Sequence, residues 1–252
     1  MIFDKTPSTW QELQHFVAQT FVELGCNAEV EFSLTTVRGS INIDVHVEDK
    51  AWTPSLIYLC ECKYWNSRVP KSVVHSLRSV VSDVGANRGF VISKAGFQSG
   101  AFEAAKSSVI ELLTWDEFQT IFHQRWLQSM SQRLAEAADK LFKYFNVPND
   151  GVLGSNDDEL PGSSNWSQEK WITYIDYFFK KYGLLIQAMS HNASVEKFKK
   201  KFPTETLIPS FDLDSQVISW EILTLNSYRE YFDVAFPLAE EALAEFKEFW
   251  GK

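Results

Sequence analysis

Only three cysteines occur in the 252 residues, two of them in the alternating run Cys60-Glu61-Cys62. That excludes a disulfide framework and falls short of a four-ligand zinc site unless histidines join, so bare apolar thiols in a reducing compartment are expected. No apolar run approaches the ~18 to 20 residues that a membrane helix needs. The opening MIFDKTPSTW lacks the basic, apolar and small-residue order of a signal peptide, which points to a cytoplasmic protein without a membrane partner. Positive charge is scarce: 24 Lys and Arg stand against 33 Asp and Glu, a net charge of -9. Sequence-independent DNA affinity comes from cations neutralising phosphates, so a generic DNA-coating role is excluded and any nucleic-acid contact must be local. The shortfall is uneven, with 11 basic and 14 acidic residues up to Leu127 but 13 and 19 beyond it.

Hydrophobic residues are plentiful at 45%, and the aromatic share of 15% includes nine tryptophans. Such a chain fills one large core or two ordinary ones, with ring-packed interiors or an aromatic interface. From Thr9 to Leu24 the apolar positions Trp10, Leu13, Phe16, Val17, Phe21 and Leu24 recur at helical spacing, and Gly25 follows as a stop. A short strand is expected over Ala28 to Phe32. Strict alternation of Ile41, Ile43, Val45 and Val47 with Asn42, Asp44, His46 and Glu48 then predicts a half-buried strand with Asp44 on its polar side. Leu56 to Lys63 reads as a more buried strand that ends in charge.

Pro70 suits the first turn of a helix whose apolar face runs from Val73 to Val84 and which Gly85 closes. A strand over Gly89 to Ser93, a helix near Ser99 to Lys106, a strand over Val109 to Leu113 and a helix from Trp115 follow. This order predicts right-handed crossovers into a partly parallel sheet covered by helices. Leu127 to Phe145 reads as a further helix, and residues 146–166, rich in Gly, Pro, Asn, Asp and Ser, as a linker. Ser167 can cap a helix carrying the stripe Trp171, Tyr174, Ile175, Phe178, Phe179 and Tyr182, and Pro237 opens a last helix ending at Phe249-Trp250. Residues 203–225 stay unassigned. The fold class expected is α/β, a mixed sheet flanked by helices over residues 1–127, followed by a mainly α-helical region over 128–252.

Residues two apart on a strand share a face, so Glu61 and Lys63 project together while Cys60 and Cys62 point away. If the two strands pair as a hairpin, Asp44 lies beside Glu61, and two carboxylates converge with one ammonium. With a backbone carbonyl such as that of Cys62, the acids offer the hard oxygen ligands that Mg²⁺ or Mn²⁺ prefers. Such an ion activates water and offsets charge at phosphorus, while Lys63 orients hydroxide or stabilises the pentacovalent phosphate. The alternative for the triplet is a solvated surface ion pair worth ~0 to 1 kcal/mol.

The segments Gly39-(x)4-Asp44, Glu61-Cys62-Lys63-Tyr64, Val69, Val74-His75-Ser76-Leu77 and Gly89 to Ala101 together resemble the Mrr-like branch of the PD-(D/E)XK restriction endonuclease superfamily. The resemblance runs from about residue 9 to 120. It implies a restriction-endonuclease-like core in which Asp44, Glu61 and Lys63 occupy the acid, acid and lysine positions. The family's first-helix acid maps to Gln14, with Glu12 nearby, and His75 stands where the family often carries glutamine. The implied activity is metal-dependent DNA cleavage, concerned with foreign DNA in prokaryotes. Two alternatives stand beside it: a non-catalytic module on the same fold, and a structure-selective repair or resolvase nuclease.

Around this trio, Arg68, Lys71, His75 and Lys94 are the expected DNA contacts, against the reading of solvated loop and helix residues. The lysine-rich run Lys197 to Lys201 reads first as a solvated helix face. His46 shares Asp44's face, where a satisfied surface histidine is the alternative to a further ligand. The aromatic C-terminal half offers a surface for a homodimer or another protein.

Overall fold

In the computed structural model the described residues are 1–36, 39–141, 144, 168–186, 188, 201–212 and 217–250. Two compact units divide at Ser129 and Met130. The first opens with α1 (Trp10–Glu23), whose start is fixed by Thr9: its side chain accepts from the Glu12 amide at 3.1 Å. Glu12 reaches back to the Ser8 amide and hydroxyl, each at 2.7 Å, a variant of the capping box. The strands β1 (Asn27–Thr36), β2 (Gly39–Asp49) and β3 (Leu56–Lys63) form an antiparallel meander. Helix α2 (Lys71–Val84) leads to β4 (Arg88–Ser93), and α3 (Ser99–Ala105) leads to β5 (Ile110–Thr114). Both crossovers return parallel, giving one five-stranded sheet in the order β1-β2-β3-β4-β5.

The first unit is thus an α/β fold, a mixed five-stranded sheet flanked by helices, and a mainly helical region follows it. The two faces of the sheet carry different side chains. Phe21 of α1 meets Tyr58 of β3 and Phe90 of β4, and Phe118 and Phe122 of α4 (Trp115–Asp139) close over the same rings. On the opposite face Leu59 and Val91 pack with Val74, Leu77 and Val81 of α2 and with Ala101 and Ala104 of α3. Gly85 ends α2 in the left-handed conformation with φ 67°, a backbone state that costs a side chain dearly. After β3 the chain is pinned where a parallel bridge joins Val69 to Phe97.

The sequence places most of these boundaries within a residue or two, with three differences. Strand β1 runs on to Thr36, because it pairs with β2 over the whole hairpin. Helix α4 is continuous from Trp115 to Asp139, since nothing between Arg125 and Leu127 interrupts the backbone ladder. The last helix, α7, begins at Tyr228, with Pro237 inside it. Ser227 accepts from the Glu230 amide at 3.1 Å, and Glu230 accepts from the Asn226 amide at 2.6 Å, a stronger start signal than the proline.

The second unit also contains α5 (Gln168–Thr173), a π-helical turn (Tyr174–Phe179) and α6 (Gly183–Ile186). Residues 203–225, unassigned from sequence, hold most of a hairpin of β6 (Thr204–Asp212) and β7 (Val217–Leu225). Of the predicted aromatic stripe, Tyr174, Phe178 and Tyr182 are buried, whereas Ile175 and Phe179 are exposed. The wider π turn brings residues four apart onto one inner line. Lys181, also buried, bridges Glu241 and Glu245 at 2.8 Å each. The linker 146–166, Ser167 and Lys197 to Lys200 lie outside the described residues.

Candidate active site

Strands β2 and β3 pair from Asp49–Leu56 down to Val45–Cys60. The next position in that register sets Asp44 across from Glu61, but there the ladder stops. In its place Oδ2 of Asp44 accepts the Cys62 amide at 2.6 Å. A residue's N–H and C=O leave an extended strand on the same side, so the Cys62 carbonyl is directed past the end of the ladder toward Asp44.

Lys63 joins the two acids. Its ammonium is hydrogen-bonded to Oε1 of Glu61 and stands 3.6 Å from Oδ2 of Asp44. All three side chains are mostly buried, with 15 to 23% of each exposed. Burial, reinforced by the Asp44 charge, pushes the Glu61 carboxyl upward against the pull of Lys63. Burial works against the charged form of Lys63, yet Glu61 and Asp44 outweigh it and hold the ammonium above its usual value. The Cys60 and Cys62 thiols point away, are buried, and are pushed well up by desolvation, which makes them core atoms rather than thiolate ligands.

Gln14 of α1 is 3% exposed, and its Nε2 donates to Oε1 of Glu31 at 2.6 Å. Glu31 is a site neighbour that sequence reasoning missed. It lies between the pairs Val30–Val45 and Phe32–Ile43, hence opposite Asp44, and its φ of 54° is unusual for a non-glycine residue within a strand. Register arithmetic across the β1–β2 hairpin was the signal that could have found it. Glu12 is committed elsewhere: its bonds to Lys5 and Ser8 hold its carboxyl down to about 2 at the head of α1. His46 stacks on Phe32 at 4.4 Å, and burial lowers its affinity for a proton.

The expected DNA contacts divide. Lys94 is exposed after β4, donates to Oδ1 of Asn66 at 2.9 Å and lies 4.2 Å over the Tyr64 ring. Its backbone N–H donates to the Lys63 carbonyl at 3.0 Å, which ties it to the trio. Arg68 is exposed in the loop after β3, Lys71 at the start of α2 and His75 on the outer side of α2. None of these three has a hydrogen bond or ion pair to Asp44, Glu61 or Lys63 among the described residues.

The donor set of two carboxylates and a carbonyl suits a hard divalent cation, with Asp44, Glu61 and the Cys62 carbonyl as its holders. Among the described residues no three His, Cys, Asp or Glu side chains gather as a ligand group, and the Lys63 ammonium pairs with both acids. No helix among the described residues is long and apolar enough to cross a membrane.

No curated protein matches the chain. Among solved structures it is similar to the crystal structure of a protein of unknown function, AF1548, at 18% identity and a TM-score of 0.40, covering 54% of this chain and 78% of that one. A family model described as a restriction endonuclease, the Mrr catalytic domain, matches residues 7–122. The match contains α1, the whole mixed sheet and the Asp44, Glu61 and Lys63 positions, so residues 7–122 are similar to the restriction endonuclease family that this model describes.

Proposed function

We propose that the protein is a Mg²⁺- or Mn²⁺-dependent DNA endonuclease that hydrolyses phosphodiester bonds at Asp44, Glu61 and Lys63, in prokaryotic defence against foreign DNA. The observation that carries this reading is the convergence of both acids on one half-buried lysine where the β2–β3 ladder ends. When bound, the cation supplies a lowered water pKa and a counter-charge for the phosphate. Asp44 is fixed through Oδ2 by the Cys62 amide and would offer its other carboxylate oxygen to the ion. Glu61, whose carboxyl is raised by burial, is a stronger base toward water than an exposed glutamate. Lys63 holds its proton and stabilises charge that builds on the phosphate oxygens. Gln14, through Glu31, fixes the acidic side of the site opposite Asp44.

The domain assignment belongs to this proposal: residues 1–127 carry the chemistry, and 128–252 a separate role in targeting or assembly, through a homodimer or another protein. Purified protein should nick or cut duplex DNA with Mg²⁺ or Mn²⁺, and Lys63→Ala should abolish this while circular dichroism is unchanged. Cleavage by that variant at the wild-type rate would sink the site assignment.

A second reading, a non-catalytic module on the nuclease fold, draws on the lysine's position between the acids. Calorimetric titration with Mn²⁺ separates the two. Binding that disappears in Asp44→Ala supports the enzyme, and absence of binding in the wild type supports the module.

A further inference from the structure

A cleft of about 260 Å³ opens at the carboxyl ends of β3, β4 and β5, the edge at which α/β sheets receive ligands. It is lined by Pro7, Leu13 and Trp115, by the Tyr64 ring, and by the charged Lys94 and Asp116. Its volume lies just below the ~300 to 1,000 Å³ of sites that enclose a whole drug-sized ligand, so it suits a single heterocycle. An aromatic face beside a cation and hydrogen-bonding groups is the lining that a nucleotide requires: π stacking for the base and charge for its phosphate.

Two observations tie the cleft to the strand that would be cut. Tyr64 directly follows Lys63, so the two Cα atoms are about 3.8 Å apart, and the Lys94 amide donates to the Lys63 carbonyl at 3.0 Å. The backbone that carries Tyr64 and Lys94 is thus joined directly to that of the trio. Lys94 rests 4.2 Å over the Tyr64 ring, with Asn66 as its only hydrogen-bond acceptor among the described residues, and it is exposed and free to turn toward an anion.

We propose that the cleft holds one base of the DNA, unstacked from its neighbours, on Tyr64, with Lys94 turning from the ring to the adjoining phosphate. This rests on the nuclease reading and names the substrate class: strands in which a nucleotide next to the cut is unpaired or easily unstacked, where extrusion costs least.

Fluorescence anisotropy in EDTA tests it with the full chain and two probes of equal length and charge, an oligothymidylate and an oligomer of abasic sites. The wild type should bind the oligothymidylate roughly ten- to a hundredfold more tightly, the span of one stacked base. Tyr64→Ala should lose that preference while keeping its affinity for the abasic oligomer, and Tyr64→Phe should retain it. A preference undiminished in Tyr64→Ala, or absent from a wild type that binds both probes, overturns the cleft alone. A wild type that binds neither probe removes the DNA reading as well. If Tyr64→Ala does not fold, Tyr64→Leu decides, since it fills much of the same volume without a π face. Its base preference should fall severalfold, and an unchanged preference counts against the proposal.

Discussion

The Cys62 amide donates to Oδ2 of Asp44 at 2.6 Å, so a side chain takes over from the backbone where the β2–β3 ladder ends. Asp44 therefore has a structural task beside its proposed chemical one. Asp44→Asn keeps an acceptor for the amide, whereas Asp44→Ala leaves it unpaired and should cost a further ~1 to 3 kcal/mol in urea unfolding. Both variants should lose cleavage. Equal stability of the two would show that the bond does not hold the strand end.

Lys63 is the cation common to both acids, 3.6 Å from Asp44 and bonded to Glu61. Lys63→Met keeps the apolar stem and deletes the charge, and should lower the nicking rate by about 10² to 10³ if the ammonium stabilises the phosphate in the transition state. The decrease should lie in kcat. A rise in KM alone would reassign Lys63 to substrate binding.

Asp49 is 1% exposed and accepts from Arg125 at 2.9 Å, the Ala51 amide at 3.1 Å and the Tyr58 hydroxyl at 3.3 Å. Burial pushes its carboxyl up, but the Arg125 guanidinium and these bonds outweigh burial and hold it below the ordinary range. A carboxyl depressed in the folded state contributes stability above its unfolded pKa of about 3.9 and loses it as pH falls through the folded value. Arg125→Ala should thus cost about 2 kcal/mol at pH 7, less than a fully buried pair because Arg125 is 45% exposed. The gap between wild type and variant should narrow below about pH 4. Denaturant melts at pH 7 and pH 3 measure it, and a gap of constant size would disprove the linkage.

Gly89 leaves room on β4 for side chains of β5 and α2. A Cβ there would stand 2.6 Å from Cδ1 of Ile110 and 3.0 Å from Cγ2 of Val81. Gly89→Ala should destabilise by ~1 to 3 kcal/mol through overpacking, read as a lower urea midpoint at unchanged slope. A midpoint equal to the wild type would mean that α2 yields without cost.

Local signals made much of this fold legible. Pro70 and Gly85 bracket α2, and the apolar run that ends in Glu61-Cys62-Lys63 bounds β3, because turn chemistry and strand periodicity act over a few residues. The polar alternation put Asp44 on the right side of its strand. What stayed hidden depends on distant partners. The Arg125 that satisfies Asp49 lies 76 residues away, and the positive φ of Glu31 follows no residue preference. The cleft needs the ends of three strands and part of α1. The β6–β7 hairpin shows no clean alternation, since residues 206–209 are all half-buried, so period-two reading fails there.

Val45 and Cys60, the last pair of the β2–β3 ladder, have no solvent exposure. Past them the strands part like scissor blades, with Asp44 and Glu61 near the tips and this pair as the pivot. Bulk added at the pivot, as in Cys60→Leu, would splay the blades and widen the spacing of two acids that it does not touch. The fit of an ion between those acids, if they hold one as proposed, would thereby be governed from the dry interior, one residue behind them.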